Sequence, residues 1–421
     1  MFKAVAGYYK DNERLRLLVK IIAVWLISRA VMLLMVPVMN LIADEPHQWL
    51  YYMNPWDAEW YKGIVENGYQ PPKSSGMASW AFFPLYPLVC MAVRLVTMGS
   101  IDTYAVGMTV SNICIIIAVY YAVKYADIEL DMKKYNKKTV EDIIIFLMLA
   151  GPFAVYYGAM YTEALFILCV ILCFYNSARH NYMAAGIAAA MASATRIVGC
   201  MLVFVLITYM FMETCAECRA KHNSEMKDNK EAGIIDKCML TEEAGILIAG
   251  NISLASVIRT FIKNVIKEPK KLVAIMISPL GIFIYMNYLR YFCGDSWAFY
   301  HVQRAWRTQK MFPVIGVLFK SCTGQLSAAS GVKTLNGIIL GWLCVITLML
   351  YAAMIRKKHY ALGIFGIIVL LIPLTSSVMS TLRFIMGSFV IYIGVAEIIA
   401  GCNRYVRYGI CLLYTSPSPR D

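Results

Sequence analysis

The sequence predicts an all-α, polytopic integral membrane protein with about ten transmembrane helices. Of its 421 residues, 60% are hydrophobic and only 15% are charged, whereas roughly a quarter of the residues in a soluble domain are charged. Apolar runs of about 20 residues, the length that crosses a bilayer, recur along the chain. Most Lys and Arg residues lie in short loops beside these runs, as expected for loops kept on the cytoplasmic side. The net charge of +13 therefore fits a membrane protein, and we expect no nucleic-acid partner because no basic, aromatic-rich patch lies outside the apolar runs.

The first apolar run covers residues 17–42 and predicts the first spanning helix. Basic residues precede it, so its N-terminal end is expected in the cytoplasm, and residues 43–80 then form an external loop. The run is too long for the apolar core of a cleavable signal peptide and lacks a small-residue cleavage site, so we expect no such peptide.

The next apolar run, FFPLYPLVCMAVRLVTM at residues 82–98, is short and contains two prolines and Arg94. If it spanned the membrane, the basic loop KKYNKK at residues 133–138 would be external, against the usual charge bias. We therefore favour an interfacial or re-entrant segment. Residues 104–124 then cross inward, and the basic loop is cytoplasmic.

The remaining apolar runs alternate across the membrane as parts of one domain, residues 1–410. Residues 182–213 exceed one span and predict two helices that meet near Thr195 and Arg196, because an Arg at mid-bilayer is costly. A polar cytoplasmic loop follows at residues 214–271, and its basic amphipathic end fits a helix lying on the anionic inner leaflet. The other predicted crossings are 143–157, 164–178, 272–292, 337–355, 361–378 and 384–400.

The thirteen cysteines do not indicate a disulfide framework. Most lie inside apolar runs, where Cys behaves as a small buried hydrophobe. Cys215, Cys218, His222 and Cys238 share one polar loop and could bind zinc, but one C-x-x-C with irregular partners is a weak signal. We expect reduced cytosolic thiols and no metal.

The last eleven residues, CLLYTSPSPRD at 411–421, resemble translated sequencing-adapter DNA. We therefore expect this tail not to be native, and we leave it out of the functional interpretation. In that case the native chain differs after Ile410, and one or more further C-terminal helices are expected.

The predicted topology places five polar-aromatic clusters on the external side. This convergence is the main functional signal, because it follows from loop charge and not from any assumed chemistry. The clusters are WDAEWY (56–61), YTEALF (161–166), Thr195–Arg196, GDSWAFYHVQRAW (294–306) and TLRF (381–384).

In kind and order, these clusters resemble motifs of the PIG-V family. The resemblance also includes NGY after the first cluster, FFPLYP and ATR. That family contains the mannosyltransferase that adds the second mannose of the glycosylphosphatidylinositol anchor, together with bacterial relatives. The resemblance covers most of the chain, although the late motif here reads TLRF where the family pattern has a proline before the arginine.

The resemblance implies a GT-C-like fold and inverting transfer of a hexose, with mannose the expected sugar. It implies a polyprenyl- or dolichyl-phosphate-mannose donor, a glycan or glycolipid acceptor, and no cofactor. For a bacterial chain, it implies the plasma membrane with the site on the external face. For a eukaryotic chain, it implies the lumenal face of the endoplasmic reticulum.

Three carboxylates are the candidate catalytic groups. Asp57 is the candidate general base that takes the proton of the acceptor hydroxyl, and Glu59 is an alternative base or positions the acceptor. Glu163 is a candidate second acidic site. The alternative for Asp57 and Glu163 is capping of the helices that begin there. Aromatic faces that could hold a sugar ring or the start of the prenyl chain are those of Trp56, Trp60 and Tyr61.

Arg196 and Arg383 are candidates for binding the donor phosphate, since a guanidinium pairs with two phosphate oxygens at once. The alternatives are an anchor at the membrane interface or a salt bridge to Glu163. The external segment after Gly294 supplies further candidate substrate-binding residues, although Asp295 could instead cap a helix and the histidine could be structural. These candidates are Asp295, His301, Gln303 and Arg304.

Two other functions remain open. A transporter or flippase of lipid-linked sugars is expected to place polar groups near the bilayer midplane, often with paired repeats. Here the clusters lie at one rim and no repeat is evident, which favours the enzyme. A scaffold subunit without catalysis is the third possibility, and it predicts that replacing Asp57 with Asn leaves cellular function unimpaired.

Overall fold

The computed structural model describes residues 12–42, 48–72, 76–231, 253–305, 313–325, 334–375, 378 and 381–403. These residues form helices and connecting turns, with no strand among them, which confirms the all-α prediction. The expected non-native tail at 411–421, Cys238 and residues 232–252 of the predicted cytoplasmic loop lie outside the described residues.

The first half of the chain contains long apolar helices separated by short ones. A 3-10 turn at Ser79–Ala81 precedes α4. The helices are α1 Glu13–Ile42, α2 Trp49–Met53, α3 Ala58–Asn67, α4 Leu85–Val96, α5 Thr103–Glu129, α6 Lys137–Leu149, α7 Ala154–Gly158, α8 Glu163–Ala178 and α9 Tyr182–Ser193.

The second half follows a 3-10 turn at Ile197–Met201, and another turn, Val302–Ala305, follows α14. The helices are α10 Leu202–Glu231, α11 Leu254–Lys267, α12 Pro269–Ile277, α13 Leu280–Cys293, α14 Ala298–His301, α15 Val314–Cys322, α16 Thr334–Arg356, α17 Tyr360–Leu374, α18 Thr381–Gly387 and α19 Val390–Gly401.

The helices support membrane insertion, but they do not confirm about ten crossings. Among the described residues, four helical stretches are long and apolar enough to span, and up to six if each of two bent pairs is one span. The bent pairs are α12 with α13, at 42°, and α18 with α19, at 70°. The four long stretches are Glu13–Ile42, Thr103–Glu129, Ile197–Ser224 and Leu335–Arg356.

Several predicted boundaries differ from the observed helices. The predicted crossing at 272–292 is broken before α13 because Pro279 has no backbone N–H to continue the helix. The predicted loop at 214–271 begins with helix, since α10 extends to Glu231. The meeting point predicted near Thr195 and Arg196 is observed, where α9 ends at Ser193 and the chain turns.

The core is centred on α8, which packs between α5 and α9. Most of its side chains are buried on all faces, as expected for a helix that is apolar all round. Small residues on α9 allow close approach of α13, where Gly281 lies against backbone atoms of Ala190 and Ala194. The turn after α9, which carries Arg196, is therefore held against a second helix.

Helix α5 defines two ends of the bundle. Its 27 residues extend about 40 Å, from Tyr104, which bonds Glu59, to Glu129, which bonds His359. Lys137 binds Glu13 of α1 at 2.6 Å and Asp127, in the last turn of α5, at 3.2 Å, so the basic loop 133–138 and the start of α1 lie at the Glu129 end. Loop charge predicts that the loop 133–138 and the start of α1 lie on the same side of the membrane, opposite Asp57, and the structure agrees.

Candidate active site

Asp57 lies just before α3, in a turn that is held by hydrogen bonds to a tyrosine hydroxyl. Trp56 adopts a left-handed backbone with φ of 50°, which is rare for a bulky side chain and needs support from its surroundings. That support comes from Tyr161, whose hydroxyl donates to Pro55 O at 2.5 Å and accepts from the Asp57 N–H at 3.2 Å. The Asp57 side chain makes no capping bond to α3, so the capping alternative does not describe it.

The Asp57 carboxylate is oriented by an arginine from the far end of the sequence. Arg383 Nη1 on α18 donates to Asp57 Oδ2 at 2.6 Å. The same guanidinium donates through Nε and Nη2 to Glu163 Oε1, at 2.8 Å and 2.7 Å. Arg383 therefore bridges two carboxylates from two separate helix starts.

Glu163 also forms an ion pair with the second arginine, Arg196. Arg196 Nη1 lies 2.9 Å from Glu163 Oε1, and the Glu163 side chain has 0% exposure. A fully buried carboxylate needs such pairing, because desolvation of an unpaired charge is very costly. The salt-bridge alternative thus applies to both arginines, and the four charges of Asp57, Glu163, Arg196 and Arg383 sum to zero.

Aromatic rings surround this four-residue network. The Arg383 guanidinium lies 5.2 Å from the ring centroid of Tyr161 and 5.8 Å from that of Tyr156. Trp56 stacks on Tyr156 with centroids 6.4 Å apart, yet it is 69% exposed. The network is therefore walled by aromatic residues and carries one accessible indole at its edge.

Two polar groups of the network remain open. The Asp57 side chain is 31% exposed, and its Oδ1 has no hydrogen-bond partner among the described residues. Arg196 is 15% exposed, and within the same ranges its Nε and Nη2 have none either. A carboxylate oxygen and two guanidinium donors thus remain free for a ligand, while Glu163 is fully engaged.

The other predicted residues on α3 lie beside the network. The Glu59 carboxylate accepts a hydrogen bond from the Tyr104 hydroxyl. Trp60 stacks on Phe82 at 5.6 Å. Tyr61 is buried, and its hydroxyl lies 3.2 Å from Thr162 Oγ1, so Tyr61 contributes to packing behind the site.

The segment after Gly294 joins the same end of the bundle through a separate aromatic contact. Phe299 packs on Phe83 with ring centroids 5.4 Å apart. Phe83 is next in sequence to Phe82, which stacks on Trp60 of α3. Asp295 Oδ1 accepts from the Trp297 N–H at 2.9 Å, and Asp295 Oδ2 lies 2.7 Å from His301 Nδ1. The hydrogen bond with His301 lowers the pKa of Asp295.

This segment makes no hydrogen bond or ion pair to the network among the described residues. Gln303 is half-buried, and the side chain of Arg304 lies outside the described part of the chain. The substrate-binding roles of Asp295, His301, Gln303 and Arg304 therefore remain predictions.

A family model connects this geometry to known proteins. The model described as Mannosyltransferase (PIG-V) matches residues 13–231, more than half of the chain, and the match includes Asp57, Glu163 and Arg196. The chain belongs to the PIG-V mannosyltransferase family.

Two solved structures resemble this PIG-V family chain. The archaeal oligosaccharyltransferase AglB from Archaeoglobus fulgidus, in complex with an inhibitory peptide and a dolichol-phosphate, is 12% identical with a TM-score of 0.48. The match covers 96% of this chain and 54% of that chain. An Archaeoglobus fulgidus oligosaccharyltransferase tethered with an acceptor peptide is 13% identical with a TM-score of 0.44, covering 97% and 54%. This chain thus spans about half the length of either. No curated protein matches it.

Sequence reasoning missed Tyr161, which shapes the site of this PIG-V family chain, and Arg29, which binds the start of α7, the short helix that carries Tyr156. Tyr161 was visible only as the first letter of YTEALF, and its bonds to Pro55 and Asp57 depend on the folded turn. Arg29 lies within α1 and donates to Asn112 Oδ1 at 2.8 Å and to Ala154 O at 3.0 Å. A charged residue inside an apolar helix is the signal that could have identified Arg29.

Proposed function

We propose that this chain is a membrane-embedded, inverting hexosyltransferase. It moves a sugar, mannose by family, from a polyprenyl- or dolichyl-phosphate donor to a glycan or glycolipid acceptor. The observation that carries the proposal is the Asp57 carboxylate, which Arg383 orients and which keeps one oxygen open. It lies in a network that also contains Arg196, with two unshared donors, in a chain of the mannosyltransferase family.

The chemical step uses Asp57 as the general base. The acceptor hydroxyl oxygen attacks the anomeric carbon, and its proton moves to the open oxygen of Asp57. The bond from the anomeric carbon to the phosphate oxygen breaks, and its electron pair leaves with the prenyl phosphate. Attack opposite the leaving group inverts the anomeric configuration. Proton removal of this kind contributes roughly 10²–10⁴ in rate.

The ion pair between Asp57 and Arg383 links this proton transfer to the departing phosphate. Once Asp57 carries the proton, its charge no longer holds Arg383 Nη1, which lies 2.6 Å away. That donor becomes available as charge grows on the phosphate, where it is most effective for catalysis. The unshared donors of Arg196 bind the same phosphate, since guanidinium geometry suits paired oxygens.

Glu163 acts in this mechanism as a positioning residue. It is fully buried and paired to both Arg196 and Arg383, so it fixes the distance between their two guanidinium groups. The exposed indole of Trp56 supplies a flat surface for the apolar face of a sugar or the first prenyl units. Glu59, whose carboxylate accepts from Tyr104, has the role of orienting the acceptor in this proposal.

The principal alternative is a transporter or flippase of lipid-linked sugars. Such proteins place polar groups near the bilayer midplane on broken helices, whereas the network here lies at the Tyr104 end of α5. Loop charge supports a site on the external face, that of the plasma membrane for a bacterial chain, because the basic loop 133–138 lies at the opposite end.

A liposome experiment separates the two functions. The purified chain is reconstituted and supplied on one side with polyprenyl-phosphate mannose labelled in the sugar. A mannosyl-glucosaminyl phosphatidylinositol and a glycolipid extract of the source membrane serve as acceptors. The enzyme yields labelled acceptor whose anomeric configuration is opposite to that of the donor, together with free prenyl phosphate. Net movement of intact donor across the bilayer, without product, contradicts the proposal and supports the transporter.

A further inference from the structure

Helix α11 carries three parallel stripes of residues, each repeating every fourth position. The inward stripe consists of Val257, Phe261 and Val265. Val257 and Val265 are buried, and Phe261 packs edge-on against Phe211 of α10 with ring centroids 5.7 Å apart. This contact, with the Asn264 bond to Glu217 at 2.9 Å, fixes the rotation of α11 about its own axis.

The second stripe is apolar and exposed. Ile258, Ile262 and Ile266 are 42%, 51% and 64% exposed. They stand one residue after the inward stripe, about 100° around the helix. Because the inward stripe is already packed on α10, this second apolar face is left about half exposed.

The third stripe is cationic and lies a further 100° around the helix. It consists of Arg259, Lys263 and Lys267, all exposed. None of the three pairs with a carboxylate within the described ranges. Lys270, just beyond the helix, is also exposed. The neighbouring acid Glu268 is engaged by Lys271 at 2.8 Å.

The position of α11 in the bundle decides what lies against these stripes. Helix α12, the first half of a bent candidate span, begins at Pro269, two residues after α11 ends. Helix α11 therefore runs at the boundary where that span enters the bilayer. This is the Glu129 end, because Tyr209 of α10 donates to Glu129 at 3.2 Å, close to the Phe211 contact.

We propose that α11 binds an anionic lipid leaflet. The isoleucine stripe enters the acyl region, and the cationic stripe contacts lipid phosphates. Exposed apolar residues of the following span, Leu272, Val273 and Met276, continue the same lipid-facing surface. Basic side chains near an anionic surface each add to such binding, and an apolar face supplies the remainder.

Hydrogen exchange tests this proposal on the full-length protein in nanodiscs. One preparation contains phosphatidylcholine alone, and the other contains roughly a third phosphatidylglycerol. The anionic lipid should slow amide exchange in peptides covering Leu254–Lys267 by at least about threefold, an effect that weakens at high salt. Comparing the two lipid compositions with the unmodified protein tests the proposal even if a variant does not fold.

Charge variants then assign the effect to the stripe. The triple variant Arg259→Gln, Lys263→Gln, Lys267→Gln should lose the protection by anionic lipid. The matched variant Lys133→Gln, Lys138→Gln, Arg356→Gln removes three exposed cations elsewhere and should keep it. Equal exchange in both lipid mixtures, or equal loss in both variants, overturns the proposal. The result is independent of the transfer activity, so its failure leaves the proposed function standing.

Discussion

Arg383 Nη1 donates to Asp57 Oδ2 at 2.6 Å across a separation of 326 residues. The contact joins the turn before α3 to one of the last described helices. The orientation of Asp57 therefore depends on α18 being in place. Any change that displaces α18 is expected to affect the chemistry before it affects the α5–α8 core.

Replacing Glu163 with Gln should destabilise the protein strongly. Glu163 is fully buried between Arg196 and Arg383, and removing one member of a buried ion pair costs about 3–5 kcal/mol. Thermal unfolding in detergent measures the loss. Glu141→Gln is the control, because Glu141 pairs with Lys20 at a partly exposed position and should cost about 1 kcal/mol or less. Equal losses for the two variants would show that the network does not stabilise the fold.

Replacing Arg196 with Ala should weaken donor binding. Glu163 keeps Arg383 as a partner, so the fold should survive, while the phosphate loses charged hydrogen bonds that correspond to about tenfold to hundredfold in affinity. The measurement is the KM for polyprenyl-phosphate mannose, with Arg290→Ala, an exposed arginine on α13, as the control. An unchanged donor KM in Arg196→Ala would remove Arg196 from the phosphate site.

Replacing Tyr161 with Phe should slow turnover with little effect on donor KM. The ring still packs beside Arg383, but the turn before Asp57 loses the bonds to Pro55 O and the Asp57 N–H. A small displacement of a catalytic group lowers kcat by roughly tenfold to a hundredfold. Tyr285→Phe is the matched control, since Tyr285 is also buried and donates to Trp80 O at 2.8 Å. If both variants lose kcat equally, the special role of Tyr161 is wrong.

Stability should fall as the pH rises through the alkaline range because of His359, which lies between α16 and α17. Burial lowers the pKa of His359, but the hydrogen bond with Glu129 and the nearby charge of Glu397, 3.8 Å away, outweigh it and raise the pKa to about 9. The pKa of an unfolded His is near 6.5, so the folded state binds the extra proton between these values. The stabilisation is complete below pH ~6.5 and is lost as the pH rises through ~9.

Thermal unfolding at several pH values measures this effect. The unmodified protein should lose up to about 3 kcal/mol between pH ~6.5 and ~9.5, and His359→Gln should show a flatter profile over that interval. His180→Gln serves as the control, because His180 is 59% exposed beside Glu213. A pH profile of His359→Gln that parallels the unmodified protein contradicts the linkage.

The sequence anticipated the class of fold and much of the site, for identifiable physical reasons. Apolar run lengths and loop charge predict helices and their sides well, because both follow from the bilayer as solvent. The sequence also predicts the turn at Arg196, because a charge avoids the bilayer centre. Four site residues are recognisable in the sequence as polar residues at the rims of apolar runs: Asp57, Glu163, Arg196 and Arg383.

The sequence could not reveal how these residues are paired. Each ion pair joins distant segments, and Glu163 could have paired with either arginine, with both or with neither. The number of crossings was also beyond reach, because breaks at Pro279 and before Val390 divide apolar runs that look continuous. The role of Tyr161 could not be predicted, because its hydroxyl bonds backbone groups, which every residue has and which no sequence pattern marks.

The rate of a single mannosyl transfer in Asp57→Asn tests the central claim most directly. Asn preserves the size of the side chain but cannot take up the acceptor proton, so transfer should fall by at least about a hundredfold. Expression should remain normal, and Glu66→Gln, which changes a partly exposed carboxylate on α3, the helix that follows Asp57, should retain activity. Single-turnover transfer by Asp57→Asn within about twofold of the unmodified protein would contradict the assignment of Asp57 as the general base.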